Sequence, residues 1–225
     1  MKNLVIGQSG GPTAVINASL YGAVKAFKES GTDGHVLGMI NGIEGFLADH
    51  VMDLSTDLSD EELELLKLTP AAYLGSCRYK LPADLESEVY PAIFDNFREM
   101  NIGYFLYVGG NDSMDTVDKL SRYAEKIGSD VKFIGIPKTI DNDLVLTDHT
   151  PGFGSAAKYI GASTKEVIRD ALGLTYKKNM ITIMEIMGRN AGWLTGATAL
   201  AKSEDCDGPD LIYLPEVPFD VEKFL

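Results

Sequence analysis

Short apolar runs alternate with stretches of helical periodicity along the chain. Residues 4–6, 36–39, 102–108, 133–136 and 180–186 are each apolar, brief and bounded by Gly, Pro or polar residues. That is the pattern of strands buried on both faces. Amphipathic stretches lie between them. Val15, Ala18, Ala23 and Phe27 mark one apolar face, and Ile93, Phe94, Phe97 and Met100 a second. Val117, Leu120, Ala124 and Ile127 mark a third, and Ala156, Ala157, Ile160, Val167 and Ile168 a fourth. Ser59 and Glu62 have the spacing of a capping box ahead of Leu63, Leu65 and Leu66. Residues 211–214 read as one more strand, followed by a Pro-bounded turn at 215–218. The alternation predicts an α/β fold, a mostly parallel sheet covered by helices. The polar stretch 141–150 is the expected crossing between two lobes, 1–150 and 151–225. Residues 220–225 begin a helix and stop in its first turn, so a truncated chain is expected.

Composition narrows the function classes. The 225 residues are 45% hydrophobic and 24% charged, ordinary for a globular protein. The formal net charge is −13, a field that repels nucleic acid and anionic lipid and disfavours both as partners. It also repels phosphorylated ligands, so a phosphate site needs clustered cations, helix N-termini or a metal. Cys77 and Cys206 lack metal-ligand spacing and are expected as free thiols. No signal peptide is legible, because the first apolar run is short and Gly10-Gly11-Pro12 follows it. No stretch is apolar enough to span a membrane. A soluble cytoplasmic protein is expected. His35, His50 and His149 show no metal spacing, and Trp193 and the aromatic residues of 104–107 are expected in the core.

The chemistry-bearing residues sit after the strands. Gly7-Gln8-Ser9-Gly10-Gly11-Pro12-Thr13 follows the first, where glycines let backbone N–H groups approach a ligand and a helix starting at Pro12 or Thr13 points its positive end there. The motif is neither G-x-G-x-x-G nor a P-loop, and a plain tight turn accounts for a lone Gly pair equally well. Gly109-Gly110-Asn111-Asp112-Ser113 precedes a helix, with Asp112 or Ser113 as N-cap or an acid at a phosphate and Mg²⁺ locus. Lys138-Thr139-Ile140-Asp141-Asn142-Asp143 carries two carboxylates that in an extended segment share one side, with Asn142 turned away. One could take a proton from a hydroxyl and the other place the substrate. Lys138 supplies local positive charge. Gly75-Ser76-Cys77-Arg78-Tyr79-Lys80 puts two cations near small residues, and Met187-Gly188-Arg189 offers a clamp for a phosphate or sugar hydroxyl.

Together these motifs resemble the phosphofructokinase family over essentially the whole chain. The resemblance implies two lobes, each a mostly parallel sheet sandwiched by helices, the second incomplete here. It implies Mg²⁺-dependent phosphoryl transfer to the 1-hydroxyl of fructose 6-phosphate, in glycolysis or its reversal, by a homodimer or homotetramer. It assigns Asp141 as general base and places Arg78 and Lys138 at the transferring phosphoryl group. Thr139, Asp143, Met187, Gly188 and Arg189 match substrate positions. Gly10, Gly11, Lys80, Asp112 and Ser113 match donor positions, and Asn111 stands at the metal-associated position. Most members have Asp there, so the metal would lean on Asp112, Asp141, Asp143 or the donor.

The donor follows from departures from the ATP-using pattern, G-G-D-G-S and P-G-T-I-D-N-D. Asp112 replaces a Gly and would crowd and repel a nucleotide α-phosphate. Lys138 replaces another and would neutralise a small, highly charged donor. Ile43 stands where ATP-type members often have a Tyr. The resemblance therefore points to the pyrophosphate-dependent branch and a reversible reaction. An ATP-dependent enzyme and a non-catalytic subunit are the alternatives; a dinucleotide-binding dehydrogenase gives residues 138–143 no role. Met180 replaces an Arg of the bacterial ATP-type pattern, with Lys177 and Lys178 as the nearest cations. Family members continue past a stretch like 215–217 with a further Glu, His and Arg set. Without that continuation, weak or absent turnover and exposed apolar edges are expected.

Overall fold

The computed structural model describes residues 2–174, 177 and 180–225. They form two compact units, Met1–Lys138 and Thr139–Leu225. The division falls before Thr139, whereas the sequence pattern put it at 150. Residues 139–150 close on their own unit: the Asn142 amide donates to Asp148 O at 3.1 Å and accepts from Thr150 N at 2.9 Å.

The first unit is a five-stranded sheet in the order β3-β2-β1-β4-β5. The strands are β1 (Asn3–Gln8), β2 (Val36–Met39), β3 (Val51–Asp53), β4 (Ile102–Gly109) and β5 (Lys132–Pro137). β1 pairs in parallel with β2 and β4, and β4 in parallel with β5; β3 runs antiparallel on β2. The helices are α1 (Ile16–Glu29), α2 (Gly42–Leu47), α3 (Asp60–Leu65), α4 (Val89–Glu99) and α5 (Asn111–Ile127).

Strand alternation sends neighbouring side chains to opposite faces and so builds two cores. Val5, Phe105 and Tyr107 pack with Phe46 of α2, Phe94 and Phe97 of α4 and Leu120 of α5. Leu4, Ile6, Leu106 and Val108 pack on the other face with Ile16, Leu20 and Val24 of α1 and with Leu63, Leu66 and Leu74. The expected face of α1 holds in part: Ala23 and Phe27 pack against this core, while the fully buried positions are Ile16, Asn17, Leu20 and Val24. The helix begins at Ile16 and not at Pro12 or Thr13. β3 is three residues long and too short to carry a period-2 signal. The capping box at Ser59 and Glu62 forms in full.

A buried amide pair joins the two sides of the crossover. Gln8 and Asn17 are almost wholly enclosed. Gln8 Nε2 donates to Ile16 O and to Asn17 Oδ1, and Gln8 Oε1 accepts from Leu74 N. Asn17 Nδ2 donates to Thr69 O and Ala71 O, while its Oδ1 also accepts from Tyr73 N. On the surface nearby, Glu64 meets Tyr21, Lys25 and Lys67. The hydrogen bond from Lys67, then that from Tyr21, holds the Glu64 carboxyl at about 2.

The second unit contains α6 (Phe153–Leu174), α7 (Trp193–Gly196), a 3₁₀ turn (Ala197–Ala201) and α8 (Val221–Phe224). Gly161 and Thr164 are the buried positions of α6, and a Cβ on Gly161 would come 3.0 Å from Leu200 Cβ. Asp205 ties residues 203–206 back to Lys165 and Arg169 of α6. The expected strands at 180–186 and 211–214 are not formed, and among the described residues this unit holds no strand. A strand exists only when paired, and here Ile181 and Ile183 are 86% and 83% exposed. Lys178 lies outside the described residues. No helix among them is long and apolar enough to cross a membrane.

Asn17→Ala strands the backbone groups of residues 69–73 and should cost about 3 kcal/mol in urea unfolding, against about 1 kcal/mol for the cap variant Ser59→Ala. The folded Glu64 value lies below its ordinary 4.5. Its stabilising share is therefore complete above pH 4.5 and lost as the pH falls toward 2. Glu64→Gln should flatten the acid-unfolding curve across that window.

Candidate functional site

In the first unit, backbone segments converge where the parallel strands end, the usual ligand edge of such sheets. β1 runs out into Ser9-Gly10-Gly11. Ser9 N donates to Val108 O at 2.9 Å and Gly10 N to Cys77 O at 3.2 Å. The Ser9 hydroxyl donates to the same Cys77 carbonyl at 3.2 Å, and the Ser76 hydroxyl to Gly10 O at 2.6 Å. Gly10 has φ +76°, a left-handed conformation that an L side chain would strain. At the end of β5, Lys138 N donates to Gly109 O at 3.0 Å, and its ammonium donates to Gly11 O. Lys138 is 7% exposed. The Gly10 loop, the Cys77–Arg78 segment, Gly109 and Lys138 are thus one hydrogen-bonded assembly.

Its electrostatics suit an anion. α1 and α5 begin here without side-chain caps, their N-cap residues being Val15 and Gly110. The proposed caps are corrected: Ser113 is buried against Gly109, and Asp112 lies in the first turn of α5. Asp112 pairs with Lys80 at 3.3 Å, both largely exposed. The Thr13 hydroxyl is enclosed and has no hydrogen-bond partner among the described residues. Arg78 is exposed beside the loop. Arg78, Lys80 and Lys138 therefore gather positive charge at one edge of a chain of net charge −13.

In the second unit, Thr139 Oγ1 accepts from Asp141 N at 3.0 Å. Asn142 has φ +60°, so residues 139–143 are not extended and the same-side argument for Asp141 and Asp143 does not apply. A left-handed Asn folds its amide back onto Asp148 and Thr150. An open cavity of about 800 Å³ is lined by Asn142, Asp143, Asp148, His149, Phe153 and Trp193. Trp193 is 59% exposed, a correction to its expected place in the core. Tyr104 is likewise 40% exposed, while Phe105 and Tyr107 are buried as expected. Met187 and Arg189 are exposed around Gly188, whose φ of +131° sets the bend between them. Cys77 and Cys206 are free and buried.

The metal question turns on the donor set. Mg²⁺ keeps several waters and takes one or two carboxylates together with ligand phosphates. At the sheet edge Asp112 supplies one carboxylate and Asn111 a neutral amide oxygen, both exposed. Among the described residues no group of three His, Cys, Asp or Glu could hold an ion. Those residues fit a metal that arrives on a phosphate. Sequence reasoning missed Gln8, Asn17 and Tyr107. Gln8 lay inside the glycine motif, and buried polar side chains carry no periodic signal.

Residues 3–225 match the model of a family described as Phosphofructokinase. A relative from Halomonas elongata, pyrophosphate–fructose 6-phosphate 1-phosphotransferase, is 44% identical over 97% of this chain and 52% of its own length. A sulfofructose kinase from Alkalicoccus urumqiensis is 38% identical over 99% of this chain and 55% of its own. The crystal structure of a pyrophosphate-dependent phosphofructokinase from Marinobacter aquaeolei matches with a TM-score of 0.79 and 44% identity, covering 100% of this chain and 55% of the other. The chain spans about half the length of the curated relatives it matches.

The two glycine loops differ in room. A Cβ on Gly109 would collide with Ser113, whereas one on Gly11 meets nothing within 4 Å. Gly109→Ala should lower unfolding stability by about 2 kcal/mol, and Gly11→Ala should leave it unchanged in the same urea titration.

Proposed function

The chain belongs to the phosphofructokinase family, and we propose that the protein carrying it transfers a phosphoryl group between pyrophosphate and the 1-hydroxyl of fructose 6-phosphate. The observation that carries the donor assignment is the buried Lys138 ammonium on Gly11 O. A cation fixed at the floor of the glycine loop favours a compact, highly charged anion. In this reading the Asp112 carboxylate, paired with Lys80 beside the loop, would crowd and repel a nucleotide α-phosphate.

In this reading Gly10, Gly11, Ser113 and Lys80 hold pyrophosphate, with the N-termini of α1 and α5, which lack side-chain caps, contributing their positive ends. Bound Mg²⁺ would neutralise phosphate charge, with Asn111 and Asp112 as the protein oxygens available to it. Thr139 and Asp143 flank the acceptor, and Met187, Gly188 and Arg189 hold the sugar phosphate. Asp141 accepts the proton of the 1-hydroxyl as that oxygen attacks phosphorus. The bond to the departing phosphate breaks, and Arg78 and Lys138 offset the charge that develops. Inorganic phosphate leaves, so the reverse reaction uses the same groups. The sulfofructose kinase relative supports a second reading in which the acceptor carries a sulfonate in place of the 6-phosphate.

Turnover should appear with fructose 6-phosphate and pyrophosphate and be absent with ATP. ATP turnover without pyrophosphate turnover overturns the donor assignment, and preference for the sulfonated acceptor selects the second reading. Asp141→Asn should lower kcat about 1,000-fold. The pair Asp112→Gly and Lys138→Gly should raise the KM for pyrophosphate; unchanged kinetics would remove the basis for the assignment.

A further inference from the structure

The hydroxyl of Tyr107 lies against Cys77 and Ser9, where the Gly10 loop meets the Cys77–Arg78 segment. Tyr107 is on β4, an interior strand of the sheet, and 1% exposed. Its hydroxyl meets Cys77 Sγ at 3.7 Å. The Ser9 hydroxyl and the backbone N–H of Ile43 also bear on it, while burial pushes its ionisation above the usual tyrosine range. It therefore stays a neutral O–H. Gly42 closes the space from the side, since a Cβ there would sit 2.8 Å from Cys77 Sγ and 2.9 Å from the Tyr107 hydroxyl. Gly42 has φ +60°, so both its conformation and its space keep it Gly. The residues in contact with Tyr107 are those that set the site: Ser9 precedes Gly10, and Cys77 precedes Arg78. The Cys77 carbonyl takes hydrogen bonds from Gly10 N and from the Ser9 hydroxyl.

We propose that Tyr107 is a positioning residue: its hydroxyl fixes Cys77 against Ser9 and thereby sets the distance from the Arg78 backbone to the Gly10-Gly11 loop. The proposal rests on the reading that Arg78 and that loop handle the phosphoryl donor. Loss of the hydroxyl leaves the aromatic ring and its contact with Phe105 in place, so the fold survives while the loop crossing loosens. A small displacement of a charge-neutralising Arg lowers the rate of transfer without removing the acceptor's contacts.

Tyr107→Phe in the protein carrying this chain tests it with two readouts. The first is limited trypsin digestion with the cuts mapped by mass spectrometry. Cleavage after Arg78 and Lys80 should become about fivefold faster, with cleavage elsewhere unchanged. Cys77→Ala, which removes the other side of the contact, should shift the same sites the same way. The second is steady-state kinetics with pyrophosphate. kcat should fall about tenfold with the KM for fructose 6-phosphate unchanged. Unaltered cleavage in both variants overturns the proposal, as does faster cleavage with an unchanged kcat. If the unsubstituted protein does not use pyrophosphate, the donor reading falls, while the digestion still decides whether Tyr107 holds the segment.

Discussion

The buried Gln8–Asn17 amide pair is the constraint on which the first unit's site depends. Each side chain is enclosed, and each satisfies backbone groups that would otherwise be stranded. Gln8 is the last residue of β1 and Asn17 lies in the first turn of α1, so together they fix the strand-to-helix turn that contains Gly10 and Gly11. Through Thr69, Ala71, Tyr73 and Leu74 they also fix the path of the chain just before Gly75 and Arg78. A wholly satisfied polar network in an apolar core specifies one geometry, because any slip leaves a donor or acceptor unpaired. An apolar pair of the same volume could fill the space but could not set the register.

From that anchor, positive charge is collected where the sheet opens. Arg78 and Lys80 arrive on the segment the amide pair orients. Lys138 arrives from β5 and grips Gly11 O. The helix ends of α1 and α5 add their N–H groups, left without side-chain caps. The chain as a whole has a net charge of −13, so any attraction for an anion rests on these few cations. At the surface Asp112 pairs with Lys80, and Lys138 lies enclosed beneath.

Much of this was legible in the sequence, and the failures have physical causes. Strands β1, β2 and β4 were visible because burial on both faces makes their apolar runs continuous; β5 formed where expected but is an edge strand with Ile134 52% exposed, so its expected burial is corrected. Glycines after strands marked the loops, and Gly10 is favoured at its position because φ +76° strains an L side chain. The same periodicity misplaced the strands at 180–186 and 211–214, since apolar composition records a capacity to pair and pairing needs a neighbour. Asn142 defeated the extended-loop argument because a single left-handed residue reverses the side on which the next side chain falls. The buried polar groups of Gln8, Asn17 and Tyr107 were hidden because their partners lie far away in sequence.

If the loops after β1, β4 and β5 and the segment around Arg78 are one anion site built for pyrophosphate, residue-resolved amide hydrogen exchange measures it directly. Pyrophosphate with Mg²⁺ should slow exchange at residues 9–11, 76–80, 110–113 and 138 together, and ATP with Mg²⁺ should not. Equal protection by ATP, or protection by pyrophosphate confined to one of these segments, would contradict it.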